Sequence, residues 1–254
     1  MSDSPPVVTI LGVPVHAVTM ASALDTVRRF MVEPRLHQIA TVNPEFVMAA
    51  QENAAFAEVL RSADLALPDG VGLLYAARWL GTPLPERVPG SAFVYHLAEQ
   101  AATEGWPLFL LGAGPGVAEE AAGILRERYP GLTIAGTYAG SPDPAENDAL
   151  VARINGSGAQ VLYVAYGAPK QDLWIARNRE TLTAVRVAVG VGGSLDFIAG
   201  RAVRAPQWAQ DAGLEWLHRL VKEPWRWRRM LALPRFGWRV VGGGRRAEGK
   251  TTGS

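Results

Sequence analysis

The chain has 254 residues, 48% of them hydrophobic and 19% charged, with a mean hydropathy of +0.06. That size and balance suit one large domain, or one domain with an appendage, and exclude a disordered or coiled-coil chain. Net charge is +1; the absence of cysteine removes disulfides, thiolate zinc sites and cysteine nucleophiles, and four scattered histidines (His16, His37, His96, His218) argue against a histidine metal cluster.

No Lys or Arg precedes Arg28, and no apolar run reaches the roughly 18 to 20 residues of a membrane span, so a cytoplasmic protein without a secretory signal is expected. In chain order, the pattern predicts a strand at Val7–Leu11 and a helix at Ala21–Met31. The strand His37–Val42 follows, with Thr41 just inside its end. Asn43 and Pro44 come next, a good N-cap before a residue suited to the first helical turn, and a helical pattern then runs from Glu45 to Ser62. Asp64–Leu67 reads as a strand leading into Pro68-Asp69-Gly70 and a helix at Val71–Trp79. Arg87 lies in a loop between Pro85 and Pro89, before a helix at Ser91–Glu104.

The strand Leu108–Leu111 runs into Gly112-Ala113-Gly114-Pro115-Gly116 and a helix at Val117–Tyr129. A strand at Thr133–Gly136 and a helix at Pro144–Asn155 come next. Gln160–Val164 then leads to Tyr166–Gln171 and a helix at Gln171–Leu182, and Val185–Val189 leads to Gly190-Val191-Gly192-Gly193. Such alternation implies an α/β fold in which a doubly wound, mostly parallel, Rossmann-like sheet carries helices on both faces. This core is expected over residues 1–200, followed by a basic, tryptophan-rich helical appendage at 201–241 and a flexible tail at 242–254.

Open α/β sheets bind ligands beyond the carboxyl ends of their strands. Five strands lead there into small, glycine-rich or hydrogen-bonding residues. The Gly112, Gly114 and Gly116 turn resembles a phosphate-binding strand–turn–helix, and Gly190, Gly192 and Gly193 offer a second loop to a nucleotide diphosphate. Asp69 reads either as the N-cap of the next helix or as a general base toward a hydroxyl. Arg87 reads either as a surface ion pair with Glu86 or another acid, or as an anion clamp. No Asp-x-Asp pair is present, so arginine, lysine and helix N-termini would have to neutralise a diphosphate leaving group.

Charge is unevenly placed. Residues 1–200 hold 13 Lys+Arg against 20 Asp+Glu, whereas residues 201–254 hold 12 against 4 and five of the eight tryptophans. On one helix, Arg219, Lys222, Arg226 and Arg229 fall within about an 80° arc beside Trp216, Leu220, Trp227 and Leu231. That is the pattern of a helix lying in a membrane interface. Pro224 should kink or split such a helix, and packing on the body or nucleic-acid binding stay open from these residues.

Taken together the motifs resemble the WecG/TagA/CpsF family of bacterial glycosyltransferases. The matching segments include Thr41-Val-Asn43-Pro-Glu, Leu67-Pro-Asp69-Gly70-Val-Gly72, Arg87-Val-Pro-Gly90, Leu111-Gly-Ala-Gly-Pro-Gly-Val117, Tyr166-Gly-Ala-Pro-Lys-Gln171-Asp-Leu-Trp174, Gly190-Val-Gly-Gly193 and Arg204-Ala-Pro-Gln-Trp208. They run from about residue 8 to 236. The resemblance implies inverting transfer of a sugar, N-acetylmannosamine or a related hexose, from a UDP-sugar to a polyprenyl-diphosphate-linked sugar, in surface polysaccharide and cell-wall synthesis. It implies Asp69 as the base, Arg87 at the diphosphate, and Thr41, Asn43 and Gln171 around sugar and acceptor. It places Arg219, Arg226 and Arg229 at the lipid diphosphate or the membrane, and implies a protein peripheral to the inner face of the plasma membrane.

Asp172 stands where relatives often carry Glu. No metal or other cofactor and no nucleic-acid partner are expected, and a homo-oligomer is left open. Two alternatives stay in view. A nicotinamide-dependent oxidoreductase would use the Gly112 turn but lacks a clear acidic residue after Thr133–Gly136; a non-enzymatic nucleotide-sugar or nucleic-acid-binding protein would use the basic tail.

Overall fold

Six parallel strands form the central sheet of the computed structural model, which describes residues 5–202 and 231–247. Ahead of them, β1 (Val7–Ile10) and β2 (Val13–His16) pair as an antiparallel hairpin, with Leu11 and Gly12 at positive φ in the turn. Sequence patterning misses β2 because Pro14 demotes so short a run; a two-stranded ribbon leaves each strand an open edge, where proline is tolerated. The sheet proper consists of β3 (His37–Val42), β4 (Leu65–Pro68), β5 (Leu108–Gly112), β6 (Ile134–Tyr138), β7 (Val161–Ala165) and β8 (Val187–Gly190). Its order is β4-β3-β8-β7-β5-β6. All carboxyl ends therefore open on one edge.

Alternation along each strand builds two cores. Ile39, Leu65, Leu108, Leu110, Val161, Tyr163, Val187 and Val189 point to one face. There they meet α1 (Met20–Met31), α5 (Gly90–Glu104), α6 (Val117–Arg128) and α9 (Ser194–Ile198). The intervening residues point the other way. Ala40, Val42 and Ala66 pack under α2 (Pro44–Glu52), α3 (Ala54–Ser62) and α4 (Val71–Trp79). Phe109, Leu111, Leu162, Val164 and Ala188 pack under α7 (Asn147–Gly156) and α8 (Lys170–Arg177). Period-two side-chain direction in buried strands gives this division directly.

Several boundaries depart from the sequence expectation. The stretch from Glu45 to Ser62 is two helices, because Asn53 closes α2 and caps α3, its side chain accepting from Phe56 N at 3.0 Å. The expected helix at Pro144–Asn155 opens with a 3₁₀ turn, Pro144–Glu146, and that at Gln171–Leu182 stops at Arg177. A C-terminal helix, as expected for the appendage, is present as α10 (Ala232–Ala247). It runs to Ala247, past the 241/242 boundary expected from sequence. Phe236 and Val240 of α10 are buried in the α2–α4 core, while Arg235, Trp238 and Arg239 face outward. This part of the appendage is therefore a packed helix with an exposed basic and aromatic face. No described helix is long and apolar enough to cross a membrane.

Candidate active site

The site is assembled from what each strand releases at the carboxyl edge. Asp69 follows β4 directly, and its N–H donates to Val42 O (2.7 Å) and Leu67 O (3.0 Å), which fixes the turn against β3. The N-cap of α4 is Gly70, at φ 145°, with no side-chain capping bond. Asp69 is thus not the helix cap, and one of its two sequence readings is removed. Its half-buried carboxylate lies against Gly90, the first residue of α5: a Cβ built there would stand 3.2 Å from Asp69 Oδ2 and 2.8 Å from Thr41 Cγ2. Thr41, Asp69 and the N-terminus of α5 meet at one corner, where the helix dipole favours negative charge. Gly90 escaped sequence reasoning as a site residue; its place beside Pro89 before a helix was the available signal.

Thr41 is nearly buried, and its hydroxyl makes a long contact to Gly190 O (3.5 Å), linking β3 to β8. Asn43 caps α2, accepting from Phe46 N at 2.9 Å, which by itself contributes about 1 kcal/mol. Its Oδ1 is held by the helix, which orients the side chain at the edge.

Arg87 sits in a loop pinned on both sides. Glu86 accepts from Met20 N at 2.5 Å, and Val88 N donates to Pro68 O at 2.9 Å. The Glu86 carboxylate therefore serves the start of α1 and makes no ion pair with Arg87. Arg87 is half-buried and has no hydrogen-bond or ion-pair partner among the described residues, next to the turn that carries Asp69. A guanidinium anchored in this way is available to an anion.

Farther along the edge the polar groups serve the fold. Gln171 is 2% exposed, and its Oε1 accepts from Gly167 N (3.1 Å) and Gly192 N (2.9 Å), tying the loop after β7 to the loop after β8. It acts on the site as a strut between loops. Gly190 has no room for a side chain, since a Cβ would lie 2.5 Å from Gln171 Nε2 and 2.9 Å from Asp172 Oδ1. Gly193 caps α9. Asp172 is fully buried, and neither carboxyl oxygen meets a hydrogen-bond donor among the described residues. Burial pushes its pKa up to about 7, against weaker opposing pulls from its own backbone and the Gln171 amide. The Tyr166 hydroxyl is likewise buried without a partner, and burial raises its pKa.

Gly112, at φ 97°, packs against β7: a Cβ would strike Ala165 C at 2.9 Å. Gly114 is more open, and Gly116 caps α6 beneath Arg201, which pairs with Glu120 through both terminal contacts (2.6 and 2.8 Å). Strand order sets the scale of the whole edge. The β5 loop lies four strand spacings from β4, ~19 Å at the usual interstrand distance. Asp69 and the Gly112–Gly116 turn therefore lie at opposite ends of one elongated edge. Arg219, Arg226 and Arg229 fall outside the described residues.

The glycosyl transferase WecG/TagA/CpsF family matches residues 8–250. A protein from Bacillus subtilis, named N-acetylglucosaminyldiphosphoundecaprenol N-acetyl-beta-D-mannosaminyltransferase, is 32% identical over 92% of this chain and 90% of its own. Proteins of the same name from Bacillus spizizenii and Staphylococcus aureus are 35% identical over 78% of this chain and 76% of their own, and 31% identical over 92% of each. With the motifs on the page and the match spanning nearly its whole length, the chain belongs to the WecG/TagA/CpsF family of glycosyl transferases.

Proposed function

We propose that this protein transfers an N-acetylmannosamine-type hexose from a UDP-sugar to a sugar carried on a polyprenyl diphosphate, with inversion at the anomeric carbon. The observation that carries the reading is the corner where Asp69, Thr41 and Gly90 meet beside Arg87, which has no hydrogen-bond or ion-pair partner among the described residues. Asp69 takes the proton of the acceptor hydroxyl as that oxygen bonds to the anomeric carbon. The bond from that carbon to the UDP oxygen breaks on the opposite face, and UDP leaves with the electron pair. Arg87 and helix N-termini at the edge stabilise the added negative charge, so that no metal ion is assigned to the step.

Strand order supports one donor orientation. The transferred sugar lies at the β3–β4 end and the nucleotide extends toward the Gly112–Gly116 turn, across the loops that Gln171 ties together. The names of the relatives supply the acceptor class, an N-acetylglucosaminyl diphosphate on undecaprenol. A lipid-linked acceptor requires the protein to work at the inner membrane surface, and the outward face of α10 (Arg235, Trp238, Arg239) is suited to it.

The test is UDP release measured with a panel of UDP-sugars, with and without an N-acetylglucosaminyl diphosphate lipid. Acceptor-dependent release with UDP-N-acetylmannosamine or another UDP-hexose is expected. Release that ignores the acceptor, or no release with any donor, would overturn the assignment.

A further inference from the structure

We propose that the groove between α4 and α10 receives the polyisoprenoid chain of the lipid-linked acceptor, an assignment that rests on the acceptor reading above. The groove has a volume of about 430 Å³ and almost wholly apolar walls, with Pro44, Ala76, Phe236 and Val240 among its lining residues. It adjoins the catalytic corner through a shared wall. Pro44 follows Asn43, and a Cβ on Gly70 or Gly72 would stand 3.1 or 2.9 Å from the Pro44 ring. Gly70 is next to Asp69, so an acceptor whose hydroxyl reaches Asp69 has this groove beside it for its hydrocarbon.

The groove is edged by large apolar groups that are open to solvent. Tyr75 is 69% exposed and Trp79 58%. Exposed aromatics beside an apolar cleft mark a binding surface more than a chance arrangement. Residues 231–247 hold four arginines and no acidic residue. That charge attracts anionic lipid groups, and in a symmetric dimer built on this face it would oppose itself. A concave channel walled by two helices fits one extended chain, whereas a flat bilayer surface meets a convex amphipathic face.

Gly237 allows the groove to be filled. It lines the cleft at helical spacing from Leu233, Val240 and Val241, and a Cβ built on it meets nothing within 4 Å. Gly237→Phe is expected to raise KM about tenfold for an acceptor bearing a long polyprenyl chain in detergent micelles. KM for the UDP-sugar, and for an acceptor bearing a short prenyl chain, should stay at wild-type values. Trp79→Ala, a milder change at an exposed position, should move the long-chain KM in the same direction by a smaller factor.

Equal effects on long- and short-chain acceptors, or none on either, would overturn the groove assignment while the acceptor reading stands. Loss of binding to phosphatidylglycerol vesicles with an unchanged long-chain KM in micelles would also overturn it, and would give the groove to the bilayer. If wild-type protein turns over neither acceptor, the acceptor reading falls, and the groove assignment falls with it.

Discussion

Asp64 and Asp69 stand at the two ends of β4, and their surroundings could hardly differ more. Asp64, at the amino end, is enclosed by fixed donors: Arg35 at 2.7 Å, Arg179 at 2.9 Å and Gln38 N at 2.9 Å. Burial pulls its pKa up, but the hydrogen bonds from Arg35 and Gln38 prevail and hold it below the ordinary carboxylate value. Asp69, at the carboxyl end, is half-buried beside a threonine, a glycine and the start of a helix, with Arg87 held nearby. The same residue type locks the fold just before β4 and, in the proposed mechanism, serves as the base just after it.

The largest expected effect comes from Asp69→Asn. The isosteric amide should lower kcat by about a thousandfold, within the range for a general base, with thermal stability close to wild type. A variant that keeps wild-type turnover would erase the contrast between the two aspartates. Asp172→Asn sharpens it with a third case, a buried carboxyl that meets no donor among the described residues. Its folded pKa of about 7 lies above the unfolded value, so the folded state retains a proton that the unfolded chain has lost. Stability from this group is therefore full in acid and falls as pH rises from the ordinary carboxylate range through about 7. The asparagine variant should lose that dependence, gaining on wild type by on the order of 3 kcal/mol between pH 4 and 8 in denaturant titrations.

Arg87→Ala should cost about a hundredfold in kcat/KM for the donor, without a change in folding, since no described partner loses a contact. The smallest effect falls at the other end of the strand. Asp64→Asn should lower stability by about 2 kcal/mol and leave kcat intact, a modest figure because Arg35 is half exposed and screened by solvent. Its sign with pH is opposite to that of Asp172. A depressed carboxylate stabilises above the ordinary carboxylate range and loses that contribution as pH falls through its lower folded value. Acid titrations of wild type and variant should therefore converge toward low pH.

Much of the sheet was legible because buried parallel strands are short apolar runs ended by glycine, proline or asparagine. His37–Val42 and Val71–Trp79 coincide with their elements residue for residue. The break at Asn53 was hidden because apolar spacing continues through it, and only the capping bond to Phe56 N reveals two helices. For the site, position at or after a strand end nominates Asp69, Thr41 and Asn43, and a proline-bounded loop nominates Arg87. What sequence could not supply was the partner of each group. The Gln171 side-chain carbonyl joins the loop after β7 to the glycine loop after β8, the latter read as a phosphate contact, and Glu86 serves α1. Those facts depend on which strands are neighbours, and the order β4-β3-β8-β7-β5-β6 is not written in local pattern.

The central claim is tested most directly by a crystal structure of the protein with UDP and the sugar-diphosphate headgroup of the acceptor. The expected result places the nucleophilic hydroxyl about 2.6 to 3.2 Å from an Asp69 carboxylate oxygen, with UDP on the opposite side of the transferred position and its diphosphate near Arg87. An acceptor hydroxyl beyond reach of Asp69 even through one water, or UDP bound away from the carboxyl edge of the sheet, would contradict the account.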